Sequence, residues 1–78
     1  MQKQKRTYKT TREKFKRAHH IAQMCMRIAR KKVRASYIDL IADHIVAKLP
    51  SHLMRRLVKG DCGKPMLEAM KLTLPYFA

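Results

Sequence analysis

A helical repeat of apolar residues between positions 11 and 35 is the feature that most constrains the fold of this 78-residue chain. At about 100° per residue, the apolar side chains fall within one broad arc and the basic or polar ones occupy the opposite arc. Lys14 and Lys32 fall on the apolar side, one near each end of the helix. Their aliphatic stems can carry the charged groups out to solvent there. The pattern predicts one long amphipathic helix over residues 11–35. Its apolar arc comprises Phe15, Ala18, Ile21, Ala22, Cys25, Met26, Ile28, Ala29 and Val33.

The second predicted helix, over residues 37–49, carries apolar side chains on more than one side. Ser36 is expected to cap it with its hydroxyl, and Pro50 is expected to end it because proline has no amide hydrogen. This distribution predicts a helix at the centre of the fold, touched by neighbours on several sides. The main stripe is Ile38, Ile41, Ile45 and Leu49, with further apolar surface from Leu40, Val46 and Ala47.

Two short helices are predicted to follow. One covers residues 52–59, with Ser51 as its cap and Gly60 as its stop. The other begins at Pro65, a residue suited to the first helical position, and closes at Pro75. The inward side chains are expected to be Leu53, Met54, Leu57 and Val58 in the third helix and Met66, Leu67, Met70 and Leu74 in the fourth.

The first nine residues show no apolar repeat, and we expect them to form a disordered basic arm. Thr10 and Glu13 then have the spacing of a capping box, which indicates that the first helix starts here. The chain begins with Met and has no linker, so we expect a complete protein with a single helical domain over residues 10–78. The predicted fold class is all-α, a small bundle of three to four helices with a long basic N-terminal helix.

Positive charge is strongly concentrated in the first half of the chain. The formal net charge is +14, and residues 1–35 contain 13 of the 19 basic residues but only one acid, Glu13. A segment with so much charge of one sign repels itself unless an anionic partner lies near it, and nucleic acid is the commonest such partner. Binding to a membrane or an acidic protein, and an ordinary solvated face, are the alternatives. Solvated faces usually mix both signs of charge.

Cations at three- and four-residue spacing can follow phosphates along one side of a helix. The densest stretch lies near the end of the first predicted helix, and DNA or structured RNA would fit it equally. Tyr8 and Phe15 are the only aromatic residues in this half of the chain, which argues against a single-strand binder that works by base stacking. The predicted nucleic-acid contacts are Lys3, Lys5, Arg6, Lys9, Arg12, Lys16, Arg27, Arg30, Lys31 and Arg34.

A second basic patch is predicted on the third helix, where Arg55, Arg56 and Lys59 share the outward face. The second and third helices could form a helix-turn-helix that places this patch in a DNA groove. Their connection lacks the glycine that such turns often contain, and the third helix is short. An ordinary helical hairpin is therefore the favoured interpretation.

Metal binding, nucleotide binding and catalysis find little support in the sequence. His19 and His20 are adjacent and point about 100° apart, so they do not form a ligand pair, and we expect them to add phosphate donors. Residues 60–65 lack the glycine spacing and the hydroxyl residue of a phosphate-binding loop. Asp39 and Asp43 are expected to pair with Arg or Lys. We expect no metal, cofactor, small-molecule substrate or enzymatic activity.

The two cysteines and the hydropathy indicate a cytoplasmic protein with reduced thiols. No apolar run approaches the roughly 18 residues of a membrane span, and residues 1–17 lack the apolar segment of a signal peptide. Cys25 is expected in the core and Cys62 at the surface. An interfacial membrane helix is disfavoured, since the first helix lacks a face rich in Trp and Leu.

The alternative function is a regulator that docks on a larger nucleic-acid-processing protein. Methionine-rich helices and an apolar C-terminal tail would make such a contact, because both can adapt to a partner surface. The tail, residues 76–78, is expected either to dock on the core of the protein itself or to meet a partner, and Tyr76 and Phe77 are its predicted docking residues. Docking and nucleic-acid binding are compatible, since the basic surface could touch nucleic acid that the partner holds.

Overall fold

The structure, a computed structural model, describes residues 12–78 with their side chains. These residues contain no strand, which confirms the predicted all-helical class. The side chains of residues 1–11 are not among those described, and the predicted disordered arm over residues 1–9 and the predicted cap at Thr10 are not confirmed. The chain consists of α1 (Gln2–Ile28), α2 (Ala35–Lys48), α3 (Ser51–Val58), α4 (Lys64–Thr73) and a final 3₁₀ turn (Leu74–Phe77).

The first helix buries one face against the rest of the molecule. Ala18, Ile21, Ala22 and Cys25 are almost completely inaccessible, and their spacing of three and four residues places them on a single stripe. The predicted apolar arc is therefore confirmed at its centre. The predicted arc extends too far toward the C-terminal end of α1, because Ile28 is 59% exposed.

Helix α1 ends seven residues earlier than predicted, and a reversal at Arg30 ends it. Arg30 has a left-handed backbone conformation with a φ of 56°. The Lys31 amide donates to the Met26 carbonyl at 3.1 Å, and the Arg30 amide donates to the Arg27 carbonyl at 3.1 Å. These two bonds form a Schellman motif, which usually has glycine at the left-handed position. Arginine gives no such stop signal, so the apolar repeat through Val33 suggested a continuing helix.

The second helix is the most apolar and supplies the centre of the core, as predicted. Ile38, Ile41 and Ile45 are buried on it, together with Ala42, and Leu49 is buried just beyond its end. The helix starts at Ala35, with Arg34 as its N-cap and no capping side chain, so the predicted cap at Ser36 is wrong. The predicted stop at Pro50 is confirmed, because the helix ends at Lys48.

The third helix begins directly after Pro50, which occupies its N-cap position. Ser51 is therefore the first helical residue, and the predicted Ser51 cap is wrong. Gly60 has a φ of +98°, and the Asp61 amide donates to the Arg56 carbonyl at 3.0 Å. A glycine in the left-handed region ends the helix as predicted. Leu53, Met54 and Leu57 are buried, whereas Val58 is only half-buried.

The buried face of α4 differs from the predicted stripe. Pro65, Ala69 and Thr73 are buried, at a spacing of four residues, and Met66 and Met70 are half-buried beside them. Leu67 and Leu74 are 54% and 42% exposed. The difference has a steric cause, because small residues let α4 approach its neighbours closely. The Thr73 hydroxyl donates to the Ala69 carbonyl at 2.8 Å, so its burial leaves no polar atom unpaired.

The C-terminal 3₁₀ turn closes the core. Phe77 is only 6% exposed and belongs to the same hydrophobic cluster as the buried residues of all four helices. Tyr76 is half-buried, and the Tyr37 hydroxyl donates to its carbonyl at 3.3 Å. The tail is therefore an integral part of the core. Docking on the core, one of the two expectations for the tail, is therefore confirmed for Phe77, and its predicted role as a partner-docking residue is wrong because its ring is buried.

Replacing Arg30 by glycine is expected to stabilise the protein. The left-handed conformation costs a non-glycine residue about 1–2 kcal/mol, and the extra entropy of an unfolded glycine offsets about half of this. We expect Arg30→Gly to raise the free energy of unfolding by about 0.5–1 kcal/mol in chemical denaturation.

Lys31→Gly is the matched control, because it removes the same charge at the neighbouring position, which does not have a positive φ. It should lower the stability. Equal effects of the two substitutions would contradict the proposed strain at Arg30.

Candidate nucleic-acid interface

Exposed cations extend from α1 into its connection with α2. We call residues 12–34 the cationic segment; it holds nine basic residues and one acid, Glu13. Among the described residues, the three ion pairs involve none of these basic side chains. Their charge is therefore not neutralised by a described carboxylate. The exposed members are Arg12, Lys16, Arg17 and Arg27 on α1, and Arg30, Lys31, Lys32 and Arg34 in the connection.

The cations do not form the single helical row that the sequence suggested. Because α1 ends at Ile28, only Arg27 of the densest predicted stretch lies on the helix. Arg30, Lys31 and Arg34 lie in the connection, where the backbone no longer has helical spacing. The predicted contacts Lys3, Lys5, Arg6 and Lys9 lie outside the described residues. The described cations thus form two groups, one along α1 and one around the reversal.

The group on α1 borders a groove that sequence analysis did not anticipate. The α1 groove has a volume of about 420 Å³ and is lined by Glu13, Lys16, Arg17, His20 and Val58. Four of these residues come from successive turns of α1, and Val58 is the last residue of α3. A Cβ atom on Gly60 would lie 4.0 Å from the Arg17 Nη2 atom, so the Arg17 guanidinium lies beside the end of α3.

Arg17 is the site residue that sequence analysis missed. Its spacing of four residues from Glu13 and three from His20 places it on the same face as both, which was the available signal. What could not be read from the sequence is the position of α3. The end of that helix forms the second wall of the groove and turns a convex helix face into a concave site.

The two adjacent histidines have different environments. The His19 Nε2 atom lies 3.0 Å from Asp39 Oδ1, and the His19 ring lies 5.8 Å from the Phe15 ring. His19 thus links α1 to α2 through its Nε2 atom, and its role as a phosphate donor stays a prediction. Asp39 pairs with this histidine rather than with Arg or Lys. His20 is exposed and lines the α1 groove, where it can donate to an anion.

The second basic patch carries less free charge than its sequence suggests. Arg55, Arg56 and Lys59 are all exposed, but Arg56 Nη2 lies 2.7 Å from Asp61 Oδ2. Asp61 also accepts a bond of 2.9 Å from the Gly63 amide. This amide, followed by the Arg56 guanidinium, holds the pKa of Asp61 below its usual range. The carboxylate therefore stays charged and neutralises half of the neighbouring arginine pair.

The packing of α3 does not favour a helix-turn-helix. Helix α3 packs on α1 and α4, whereas its contact with α2 is slight. The connection from α2 has only two residues, Leu49 and Pro50. Helix-turn-helix motifs have a turn of about three or four residues, which sets the angle of the recognition helix. The patch of Arg55, Arg56 and Lys59 is thus an outer face of the bundle.

The described residues offer no group of three or more His, Cys, Asp or Glu side chains that could hold a metal ion. Cys25 is buried and Cys62 is exposed, as predicted. Burial raises the pKa of the Cys25 thiol, and a hydrogen bond with the Thr73 side chain partly opposes this shift. A helix with enough length and apolar character to cross a membrane does not occur in the described part of the chain.

No protein-family model matches the chain, and no curated protein or solved structure is significantly similar to it.

The Arg56–Asp61 pair predicts a pH-dependent contribution to stability. A carboxyl whose pKa is lowered on folding stabilises the fold above its unfolded pKa of about 3.9, and this contribution disappears as the pH falls through the folded value. Asp61→Asn should therefore lower Tm slightly at about pH 7 and not at about pH 2.

Asparagine keeps an acceptor for the Gly63 amide, so the substitution removes the negative charge and leaves this hydrogen bond in place. Asp43→Asn serves as the control, because Asp43 is exposed and forms no ion pair with a described residue. A Tm difference for Asp61→Asn that is unchanged across this pH range would show that its charge is not the cause.

Proposed function

We propose that this protein is a small, non-catalytic nucleic-acid-binding protein of the cytoplasm that contacts phosphates through the cationic segment. One observation carries the proposal: eight cations of residues 12–34 are exposed, and none of them forms an ion pair with a described carboxylate. A folded protein that keeps so much like charge together gains stability when polyanionic phosphates lie beside it. DNA and structured RNA both provide such phosphates.

The dimensions of α1 suit a contact along a duplex. Residues 12–28 of this helix span about 25 Å at a rise of about 1.5 Å per residue. This length matches about seven base pairs, along which both strands present phosphates. Arg12, Lys16 and Arg27 lie on one side of the helix and can thus reach phosphates at different points along this length. Arg30 and Arg34 lie beyond the reversal, so they can contact phosphates that do not lie along the axis of α1.

The α1 groove gives the contact a concave element. Lys16, Arg17 and His20 supply several hydrogen-bond donors within one groove. Glu13 lies on the same wall and repels an anion only at its own end of the groove. Arginine can donate two parallel hydrogen bonds to one phosphate, which lysine cannot do. We therefore assign Arg17 the role of orienting one phosphate in this groove.

Shape and phosphate spacing, rather than base identity, would decide which nucleic acid binds. Phe15 is half-buried and packs against His19, so its ring is a poor platform for base stacking. Phosphate contacts position a protein but carry no direct sequence information. The proposed activity is thus binding of modest sequence preference, with release of counterions as the driving force.

Binding to duplex DNA should weaken steeply with salt. About five to eight phosphate contacts imply a slope of about −4 to −7 for the logarithm of affinity against the logarithm of salt concentration. Fluorescence anisotropy with a duplex of about 20 base pairs, between about 50 and 300 mM salt, measures this slope. If neither duplex DNA nor structured RNA binds at the lowest salt, the proposed function is wrong.

Charge reversal in the α1 groove should weaken binding more than the same reversal elsewhere. We expect Lys16→Glu with Arg17→Glu to lower duplex affinity at least about tenfold, because phosphate contacts become repulsive. Both side chains are exposed, so helicity should be unchanged.

The matched control is Lys48→Glu with Lys64→Glu, which also lowers the net charge from +14 to +10 but leaves the cationic segment intact. Both variants should show the far-ultraviolet circular dichroism of the original protein. Equal loss of affinity in the two would show that total charge, and not this groove, determines binding.

A further inference from the structure

A second groove lies beside the reversal at Arg30, and its chemistry differs from that of the α1 groove. This tyrosine groove has a volume of about 530 Å³ and is lined by Val33, Arg34, Ser36, Tyr37, Leu40 and Tyr76. Most of its lining is apolar or aromatic. A volume of this size accommodates one or two large side chains of a ligand.

The floor of the tyrosine groove is held rigidly by the core. Val33, Tyr37 and Tyr76 are half-buried and pack against the hydrophobic core. The Tyr37 hydroxyl donates to the Tyr76 carbonyl, and the two rings meet edge to face with centroids 6.1 Å apart. His44 also packs against Tyr76, with ring centroids 5.3 Å apart. The groove is therefore formed before any ligand binds, which reduces the entropy lost on binding.

One wall of the groove is an exposed leucine. Leu40 lies in the middle of α2 and is 56% exposed, although α2 is otherwise the core helix. An exposed leucine beside two tyrosines forms a continuous apolar surface. Such surfaces at the edge of a rigid pocket are typical of protein-binding sites, where an apolar side chain of the partner fills the pocket.

Cations surround this apolar surface. Arg34 lines the groove itself, and Lys31 and Lys32 line a smaller hollow of about 200 Å³ that shares Val33 and Tyr76 with it. The acids of α2 do not balance this rim: Asp39 is bound to His19, and Asp43 lies one turn beyond Leu40, away from the cations. The charge complement of the groove is thus a negatively charged ligand.

We propose that the tyrosine groove binds an acidic, amphipathic segment of a partner protein, whose apolar side chain enters the groove while its carboxylates contact Arg34, Lys31 and Lys32. Apolar anchors with a complementary charged rim are the usual basis of peptide recognition in a groove. This inference does not depend on the proposed nucleic-acid binding, because its apolar anchor site belongs to a different pocket, formed by Tyr37, Leu40 and Tyr76. The cations Arg34, Lys31 and Lys32 belong to both surfaces.

A single-stranded nucleic acid fits the groove less well. Base stacking requires open, roughly parallel ring faces for successive bases. Here the Tyr37 and Tyr76 planes are inclined at 76°, and His44 covers part of Tyr76. The perpendicular rings form a shallow groove that suits a compact side chain better than a row of stacked bases.

The test is a nuclear magnetic resonance titration of the full chain with a synthetic peptide of about 15 residues, with Leu and Phe at helical spacing and Asp and Glu elsewhere. We expect saturable shifts at Tyr37, Leu40 and Tyr76. A control peptide keeps the acids but replaces Leu and Phe by Ser, and it should bind at least about tenfold more weakly.

Two matched variants assign the binding to the groove. Leu40→Ser should weaken the acidic peptide about tenfold, and Leu67→Ser should change its affinity less than about twofold. Both leucines are exposed in the middle of a helix, and Leu67 does not line the groove. Leu40→Ser should bind duplex DNA as the original protein does, so a failure here is distinguishable from a failure of the proposed function.

Three results would overturn the inference. One is the absence of saturable shifts at peptide concentrations up to about 1 mM. The second is equal affinity for the two peptides, which would reduce the interaction to charge alone. The third is a single-stranded oligonucleotide that shifts Tyr37 and Tyr76 more strongly than the acidic peptide does.

Discussion

The packing of α1 on α2 is the contact on which the other parts of the structure depend. It joins the stripe of α1 around Ile21 to the most apolar helix of the chain, where Ile41 and Ile45 are completely buried. Helices α3 and α4 then pack on surfaces that this pair presents, and Phe77 closes the remaining side. Because one face of α1 is committed to the core, the opposite face must lie in solvent. The exposure of Lys16 and Arg17 is therefore a consequence of core packing as well as of their charge.

The reversal at Arg30 gives the molecule two cationic regions of different character. A helix that continued to residue 35 would have placed the cations of residues 12–34, except Lys14 and Lys32, along one straight surface. The Schellman motif instead folds the chain back, so that the residues after Arg30 meet Tyr37 and Tyr76. The α1 groove is polar and suited to phosphate. The tyrosine groove joins cations to apolar surface, and that combination selects for a different ligand.

Both proposed sites use charge that the fold leaves unneutralised. The acids that form ion pairs lie in α2, in the loop after α3 and in α4, where Asp39, Asp61 and Glu68 each hold a neighbouring base. These pairs organise local contacts and remove little of the net charge. The remaining cations attract anions over roughly the Debye length, about 8–10 Å at physiological salt. Nucleic acid and an acidic protein segment would thus compete for the region around Arg34 while occupying separate grooves.

The sequence alone determined the helical class, the core stripes of α1, α2 and α3, the stops at Pro50 and Gly60, and the imbalance of charge. These follow from local properties: side-chain period, the missing proline amide and the conformational freedom of glycine. Only the tertiary structure decided that α1 ends before Arg30, that α4 buries Ala69 and Thr73 instead of Leu67, and that Phe77 is core. The physical reason is the same in each case. Whether a side chain is buried, and whether a strained backbone is tolerated, depends on which distant residues pack against it, and no local pattern contains that information.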